Sequence, residues 1–313
     1  MAEPRLSEIW RYPVKSMAGE MLSEAKIGPQ GVAFDRQWCL YDTQTNTIGT
    51  AKRIPGILNF GAKLAAELPA RVAITFSDGE TLQDDDPDLN VRISEALDRD
   101  VQLRRAPSKW NFGYYKRRKA LTPMRMRMLL GINPKEPLPD LSRAPLGTLL
   151  TVGLFESPPG THFDAQPLHI VTRAALERFE DATSKAGADV RRFRPNLVID
   201  GMADDMSGPE WVGRELRIGG TTLKIVGDTL RCSMPAAQQV GLDKDAAVNA
   251  ALRRPDYKMH FGVYATVVKR GRVASGDAVR IEDYNPGPVQ RRIDRLSDRV
   301  KKKVIAQMLK TER

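Results

Sequence analysis

The chain has 313 residues, with 49 Lys/Arg against 39 Asp/Glu and only two cysteines. That length holds one large or two ordinary domains, and a composition that is 41% hydrophobic and 28% charged is globular. Two cysteines exclude a disulfide framework, a four-thiolate iron–sulfur cluster and a structural zinc site made of cysteines alone.

The N-terminal stretch "MAEPRLSEIWRYPVKS" has no apolar run and does not resemble a signal peptide. No stretch of about 18 apolar residues exists, so no membrane-spanning helix is expected. A reducing cytoplasm is the expected compartment. "LSEIWRYPV" alternates at period two until Pro13 interrupts it, and "GVAFDRQWCLYD" alternates again. "RVAITFSDGETL" (71–82) reads as a hairpin with an Asp-Gly turn. Residues 87–106 read as a short helix and then a strand. Residues 107–147 change character: "KWNFGYYKRRKALTPMRMRMLLG" is aromatic, then basic, without one acid, and prolines crowd the segment after it. It is expected to be a proline-stiffened crossing between two domains.

In the second half, "PLHIV" (167–171) is a strand and "TRAALERFEDATSKAG" a helix, N-capped by Thr172 and stopped at Gly187. "RRFRPNLVIDG" gives a strand entered through Pro195. "ELRIGGTTLKIVGD" reads as a hairpin around Gly219 and Gly220. Residues 261–283 read as a further hairpin pair turning at Gly271 and Gly276-Asp277. The expected class is mainly β with some helices (α+β). The expected units are 1–120, a crossing at 121–147, 148–285, and a basic C-terminal helix at 286–313.

That last segment holds nine Lys/Arg against three Asp/Glu, so six of the ten excess positive charges lie there and four in the body. Val289, Ile293, Leu296, Val300, Val304 and Met308 form one apolar stripe along it. The stripe is expected to pack on the body or on a second copy, with a membrane surface as the alternative partner. Aromatic and basic residues in "KWNFGYYKRRK" suit stacking on nucleic acid. The body's small charge excess argues against that partner.

Two features exclude common enzyme classes. No G-x-G-x-x-G or Walker-type loop follows a strand, and the three histidines form no H-x-x-H or H-E-x-x-H. Cys232, in "GDTLRCSMPAAQQ", has three readings from the residues alone: a small buried hydrophobe, a nucleophile or a metal ligand. Cys39 lies in an alternating strand and reads as core.

Seven segments occur in one order: "YPVKS" (12–16), "DRQW" (35–38), "TAKR" (50–53), "FDAQPLHIVT" (163–172), "FRPNLVIDG" (193–201), "RC" (231–232) and "GVYATVVKRGRVASGDAV" (262–279). Together they resemble the MOSC family, found at the end of molybdenum-cofactor sulfurases and in amidoxime-reducing enzymes. The resemblance implies an N-terminal β-barrel-like domain followed by the MOSC β-barrel, with molybdenum cofactor (Mo-molybdopterin) between them. By motif position it makes Cys232 the catalytic residue and the protein's metal ligand. A thiolate is a soft ligand that suits such a metal, and Arg231 beside it favours the thiolate form. The resemblance places Lys15, Ser16 and Arg36 at the cofactor phosphate, and Arg194 and Asn196 along the pterin.

The implied reaction is reduction of N-oxygenated small molecules. The electrons come from a separate protein of ferredoxin, flavoprotein or cytochrome type, since the chain carries no redox motif of its own. Lys116 to Arg127 or the tail would dock it. The alternative is a non-catalytic carrier of cofactor or sulfur. The chain departs from the reductases at Leu230, where they carry serine, at "SMPAAQQ" after the cysteine, and at Ala165 and Gln166 after "FD". The family name also covers pyridoxal-phosphate sulfurases, whose lysine sits in a separate large domain. No covalent pyridoxal phosphate is expected here.

Overall fold

The computed structural model describes residues 3–204, 206–284 and 287–310. Its largest element is an eight-stranded sheet. In spatial order the strands are Val279–Glu282, Glu215–Ile218, Thr221–Leu230, His260–Lys269, Leu168–Thr172, Leu197–Asp200, Arg5–Arg11 and Glu20–Leu22. Only the Leu168–Thr172 and Leu197–Asp200 pair is parallel. A three-stranded sheet of Gly271–Ala274, Glu24–Gly28 and Gly31–Val32 closes over the same core. Leu6, Ile27, Ile170, Leu223, Val263 and Val273 from both sheets pack into one cluster. The fold is mixed sheet plus helices, mainly β, as expected.

Two smaller sheets, one built from Trp38–Asp42 with its neighbours and one from Gly61–Glu67, Ala70–Thr75 and Thr81–Gln83, form a second core with the helix Leu89–Leu97. The helix and strand read at 87–106 are found at Leu89–Leu97 and Val101–Arg105. The N-terminal strands do not stay with this second core. Arg5–Arg11 pairs with Leu197–Asp200, and Glu24–Gly28 with Gly271–Ala274, so these strands are woven into the larger β unit, while Val14 and Met17 between them pack in the second core.

Three local expectations are corrected. The pair at 261–283 has the strands but not the pairing: Gly271–Ala274 joins Glu24–Gly28, and Val279–Glu282 joins Glu215–Ile218. The chain leaves the main sheet at Gly271, where Gly220 N–H donates to Arg272 O at 3.0 Å, and crosses to the other sheet. The helix beginning at Arg173 is capped by Thr172, whose hydroxyl accepts from Ala175 N–H. It ends at Ala182, not Gly187, because the Thr183 hydroxyl donates back to Phe179 O at 2.6 Å and competes with the next turn.

The third correction concerns the crossing. It contains the helices Pro123–Leu130 and Leu146–Leu154 and a 3-10 turn at Leu141–Arg143. Thr122 caps the first of these and Pro123 opens it. Met126, Leu130, Ile132, Leu141 and Leu149 are buried against Phe179, Phe193 and Phe261. The apolar residues thus make a wall where the prolines suggested a spacer.

Gly131 ends the helix Pro123–Leu130 at φ 68°, and a Cβ there would lie 2.5 Å from Ser233 Cβ. Gly131→Ala is therefore expected to cost about 1–3 kcal/mol, from the left-handed backbone and the clash together. A thermal unfolding curve reads this, and an unchanged midpoint would contradict it.

The C-terminal helix, Pro288–Lys310, lies against Leu146–Leu154. Val304 and Ile305 pack onto the helical core, whereas Leu296 and Val300 remain exposed. The side chains of Val289, Ile293 and Met308 lie outside the described residues. Among the described residues, no helix is long and apolar enough to cross a membrane.

Candidate functional site

Cys232 follows the Thr221–Leu230 strand and precedes a 3-10 turn at Met234–Ala236. It is half-buried, and it lines a cleft shared by both halves of the chain. Arg36 and Lys52 enter from N-terminal turns. Arg194 and Asn196 enter just before the Leu197–Asp200 strand, and Arg231 beside the thiol. His169 and Tyr264, register partners on neighbouring strands, also line it, with Asp164. The cleft is open to solvent on one side, and its enclosed part is small, about 110 Å³.

The cations are held by the protein itself. The Tyr12 ring is buried between two guanidiniums: Arg36 Cζ lies 4.5 Å from its centroid and Arg194 Cζ 4.4 Å. Arg36 Nη1 also pairs with buried Asp35, and Arg36 Nη2 donates to Arg194 O at 3.1 Å. Arg194 donates to Met17 O. Burial, then the charge of Arg36, brings Arg194 down to about 10. Arg36 and Arg194 both take left-handed backbone, at φ 47° and 55°. Strained non-glycine residues of this kind persist where the surroundings over-determine them, as at ligand sites.

Asn196 Oδ1 accepts from His169 N–H at 3.2 Å and its Nδ2 donates to Trp10 O at 3.3 Å, so it also ties two strands together. Arg231 Nη2 donates to Phe193 O at 2.9 Å, and its Nε is buried with no partner. Burial lowers the Arg231 pKa. Lys52 makes no ion pair among the described residues.

Lys15 and Ser16 stand behind this wall, outside the cleft lining. The Lys15 amide is not free, since it donates to Trp38 O at 2.8 Å. Its Nζ donates to His162 O at 2.8 Å and Asp164 Oδ1 at 2.5 Å. Against a desolvation cost, Lys15 and then Lys52 hold the Asp164 carboxyl well below the usual range. Ser16 accepts from Ala51 N–H at 3.1 Å and so fixes the turn that carries Lys52.

Five of the seven sequence-selected residues therefore meet in one cleft: Arg36, Arg194, Asn196, Arg231 and Cys232. Lys52, Asp164, His169 and Tyr264 were not singled out, although each lies inside a quoted segment. Gly262, at φ 76°, sits where a Cβ would be 2.5 Å from His169 Nε2. That close approach lets Nε2–H donate to Phe261 O at 3.1 Å.

Burial keeps both inward histidines neutral. His162, also beside Lys15, falls to about 3, and His169 falls well below its ordinary value. The unfolded chain binds the protons that the folded chain refuses between about pH 6.5 and 3. Stability is thus expected to fall as pH falls through that window, by up to about 1.4 kcal/mol per pH unit for each histidine. Denaturant unfolding at stepped pH checks this. His162→Gln is expected to flatten the slope, and a slope unchanged by that substitution would contradict the assignment.

Arg36, Lys52, Arg192, Arg194 and Arg231 outnumber the cleft's one carboxylate, Asp164, so it is built for an anion. Among the described residues, no three His, Cys, Asp or Glu side chains are placed to hold a metal. A metal beside Cys232 must bring most of its own ligands. Molybdenum cofactor does so through its dithiolene sulfurs, and its phosphate suits the cations. The unpartnered Arg231 Nε leaves one buried donor for such a group. The residues present fit it.

Comparison with known proteins agrees. The model of the MOSC domain matches residues 158–280, and that of the MOSC N-terminal beta barrel domain matches residues 3–109. A molybdenum cofactor sulfurase of Oryza sativa subsp. japonica is 25% identical over 294 residues, covering 84% of this chain and 32% of the relative. The chain thus spans about a third of that relative's length. Among solved structures, the YuaD protein of Bacillus subtilis aligns with a TM-score of 0.41 at 11% identity, over 91% of this chain and 98% of that one. YiiM from Escherichia coli aligns at 0.29 and 12% identity over 39% of this chain and 57% of that one. With both family models matched in order along one sequence, the chain belongs to the MOSC family, a family associated with molybdenum cofactor.

Proposed function

We propose that the cleft binds molybdenum cofactor with Cys232 as the protein ligand, and that the protein reduces N-oxygenated small molecules such as hydroxylamines. The observation that carries this reading is the meeting of a half-buried thiol with four cations, Arg36, Lys52, Arg194 and Arg231, in one cleft. The cofactor supplies a two-electron redox centre when bound. Arg36, Arg194 and Lys52 would neutralise its anionic end, and Asn196, its amide already tied to Trp10 O and His169 N–H, keeps one N–H and one lone pair for the ring edge.

Reducing an N–OH bond takes two electrons and two protons and releases water. The electrons come from a separate redox protein. Tyr264 lines the cleft, where its phenol can donate a hydrogen bond to the departing oxygen; burial raises its pKa and makes it a weak acid, so the two protons come from solvent. Tyr264→Phe is expected to retain cofactor and lower turnover about a hundredfold. Turnover of a hydroxylamine with an artificial electron donor measures this. Cofactor-loaded protein with no turnover would remove the reductase reading.

A second reading, a carrier of cofactor or sulfur, rests on one observation. Leu230, Met234 and Ala165 line the cleft near Cys232, at positions where the chain departs from the hydroxyl-bearing residues of the reductases. In that case the loaded protein would transfer cofactor to an acceptor without turning over substrate.

A further inference from the structure

We propose that the ridge formed by Trp110, Phe112 and Leu154 docks the protein on an anionic membrane surface. These side chains are 71%, 50% and 61% exposed. The two rings are in contact, and Leu154 adjoins Phe155 in the chain. Trp110 meets Phe112 with centroids 6.2 Å apart, and Phe112 meets Phe155 at 6.2 Å. Lys116 bridges to Phe155, and Arg117 N–H donates to Leu154 O at 2.9 Å, so the two segments are tied side by side.

The charge around the ridge has one sign. Residues 109–131 hold seven Lys/Arg and no Asp or Glu. Arg117 turns inward to the carbonyls of Val152 and Phe155, both at 3.0 Å, which leaves Lys109, Lys116, Arg118 and Lys119 exposed. Lys109 Nζ stands 5.0 Å from the Trp110 centroid. The neighbouring acid, Glu156, is taken up by Arg53 at 3.0 Å.

A lipid interface explains this combination better than an acidic protein does. An exposed tryptophan beside a phenylalanine and a leucine, flanked by lysines, matches a monotopic anchor: the rings enter the headgroup region and the lysines stay with the phosphates. Protein hot spots sit in packed pockets where a rim excludes water. Trp110 instead stands on a turn before a single-turn helix, Phe112–Tyr115. This face is distinct from the C-terminal helix, part of whose apolar stripe is already used against the body.

The test needs no bound cofactor. Full-length protein is mixed with phosphatidylglycerol-containing vesicles and with pure phosphatidylcholine vesicles, and binding is followed by co-sedimentation. Tryptophan emission is read in parallel. Trp38 and Trp211 are buried and Trp10 is half-buried, so Trp110 dominates any shift. Binding to the anionic vesicles alone is expected, salt-sensitive and with a blue shift. Trp110→Ala with Phe112→Ala should weaken it about tenfold or more and abolish the shift. Lys116→Ala with Lys119→Ala, which leaves the rings in place, should weaken it roughly fivefold per cation. No binding to anionic vesicles would overturn the proposal, and so would binding that neither variant weakens. A salt-sensitive complex with an acidic protein in the absence of vesicle binding would give the ridge to a protein partner and overturn it too.

Discussion

Arg192→Ala is expected to lower the unfolding free energy by about 3–5 kcal/mol, the largest stability effect of any substitution considered. Arg192 is 1% exposed. Its Nε donates to Ala186 O at 2.7 Å, Nη1 to Pro235 O at 3.0 Å and Ala237 O at 3.4 Å, and Nη2 to Asp243 O at 2.8 Å. Four carbonyls from two segments depend on one guanidinium. Truncation leaves them in a space that alanine does not fill, and each unsatisfied buried acceptor costs about 1–3 kcal/mol before relaxation. Lysine does not rescue the site, because a point charge lacks the planar fork. The midpoint should fall by roughly 6–10 °C. Three of the carbonyls lie between residues 235 and 243, just after Cys232, so the variant should also expose that stretch to hydrogen exchange. A midpoint within about 1 °C of the parent would contradict this role.

What the sequence made legible, and what it did not, follows from the range of the interactions. Strands and turns were readable because alternation and glycine turns act locally. Thr172 as a cap and Gly219-Gly220 as a hairpin turn need only their neighbours. Strand partners were less readable. Nothing near Gly271 announces a pairing with Glu24–Gly28, almost the whole chain away. The crossing differs from a proline-stiffened spacer because Met126 and Leu130, one helical turn apart, pack against distant phenylalanines that its prolines do not signal.

The site divides in the same way. Cys232, Arg36, Arg194, Asn196 and Arg231 were found through ordered motifs, and they line one cleft. Lys15 and Ser16 belong to the same motifs but serve from behind, as the support of Asp164 and of the turn that carries Lys52. Motif order does not separate a residue facing the cleft from one bracing it. Arg192 escaped notice because its four acceptors are main-chain carbonyls, which carry no residue-type signal at all. Tyr264 and His169 became visible only as register partners across two strands.

Cys232 bears the remaining weight. It packs beside Ala51, Leu58 and Met234, so a spare buried thiol would behave much as alanine does there. Cys232→Ala should change stability little, because the residue is half-buried and makes a small contact. Its effect on the metal should be large, since Cys232 is the cleft's one thiol among the described residues and no cluster of three His, Cys, Asp or Glu side chains stands there in its place. The direct measurement is molybdenum and pterin per chain, for parent and Cys232→Ala protein purified from cells that make the cofactor. Stoichiometric molybdenum in the parent and a loss of about tenfold or more in the variant, at unchanged fold, is the expected result. Equal molybdenum in the two proteins, or neither metal nor pterin in the parent, would contradict it.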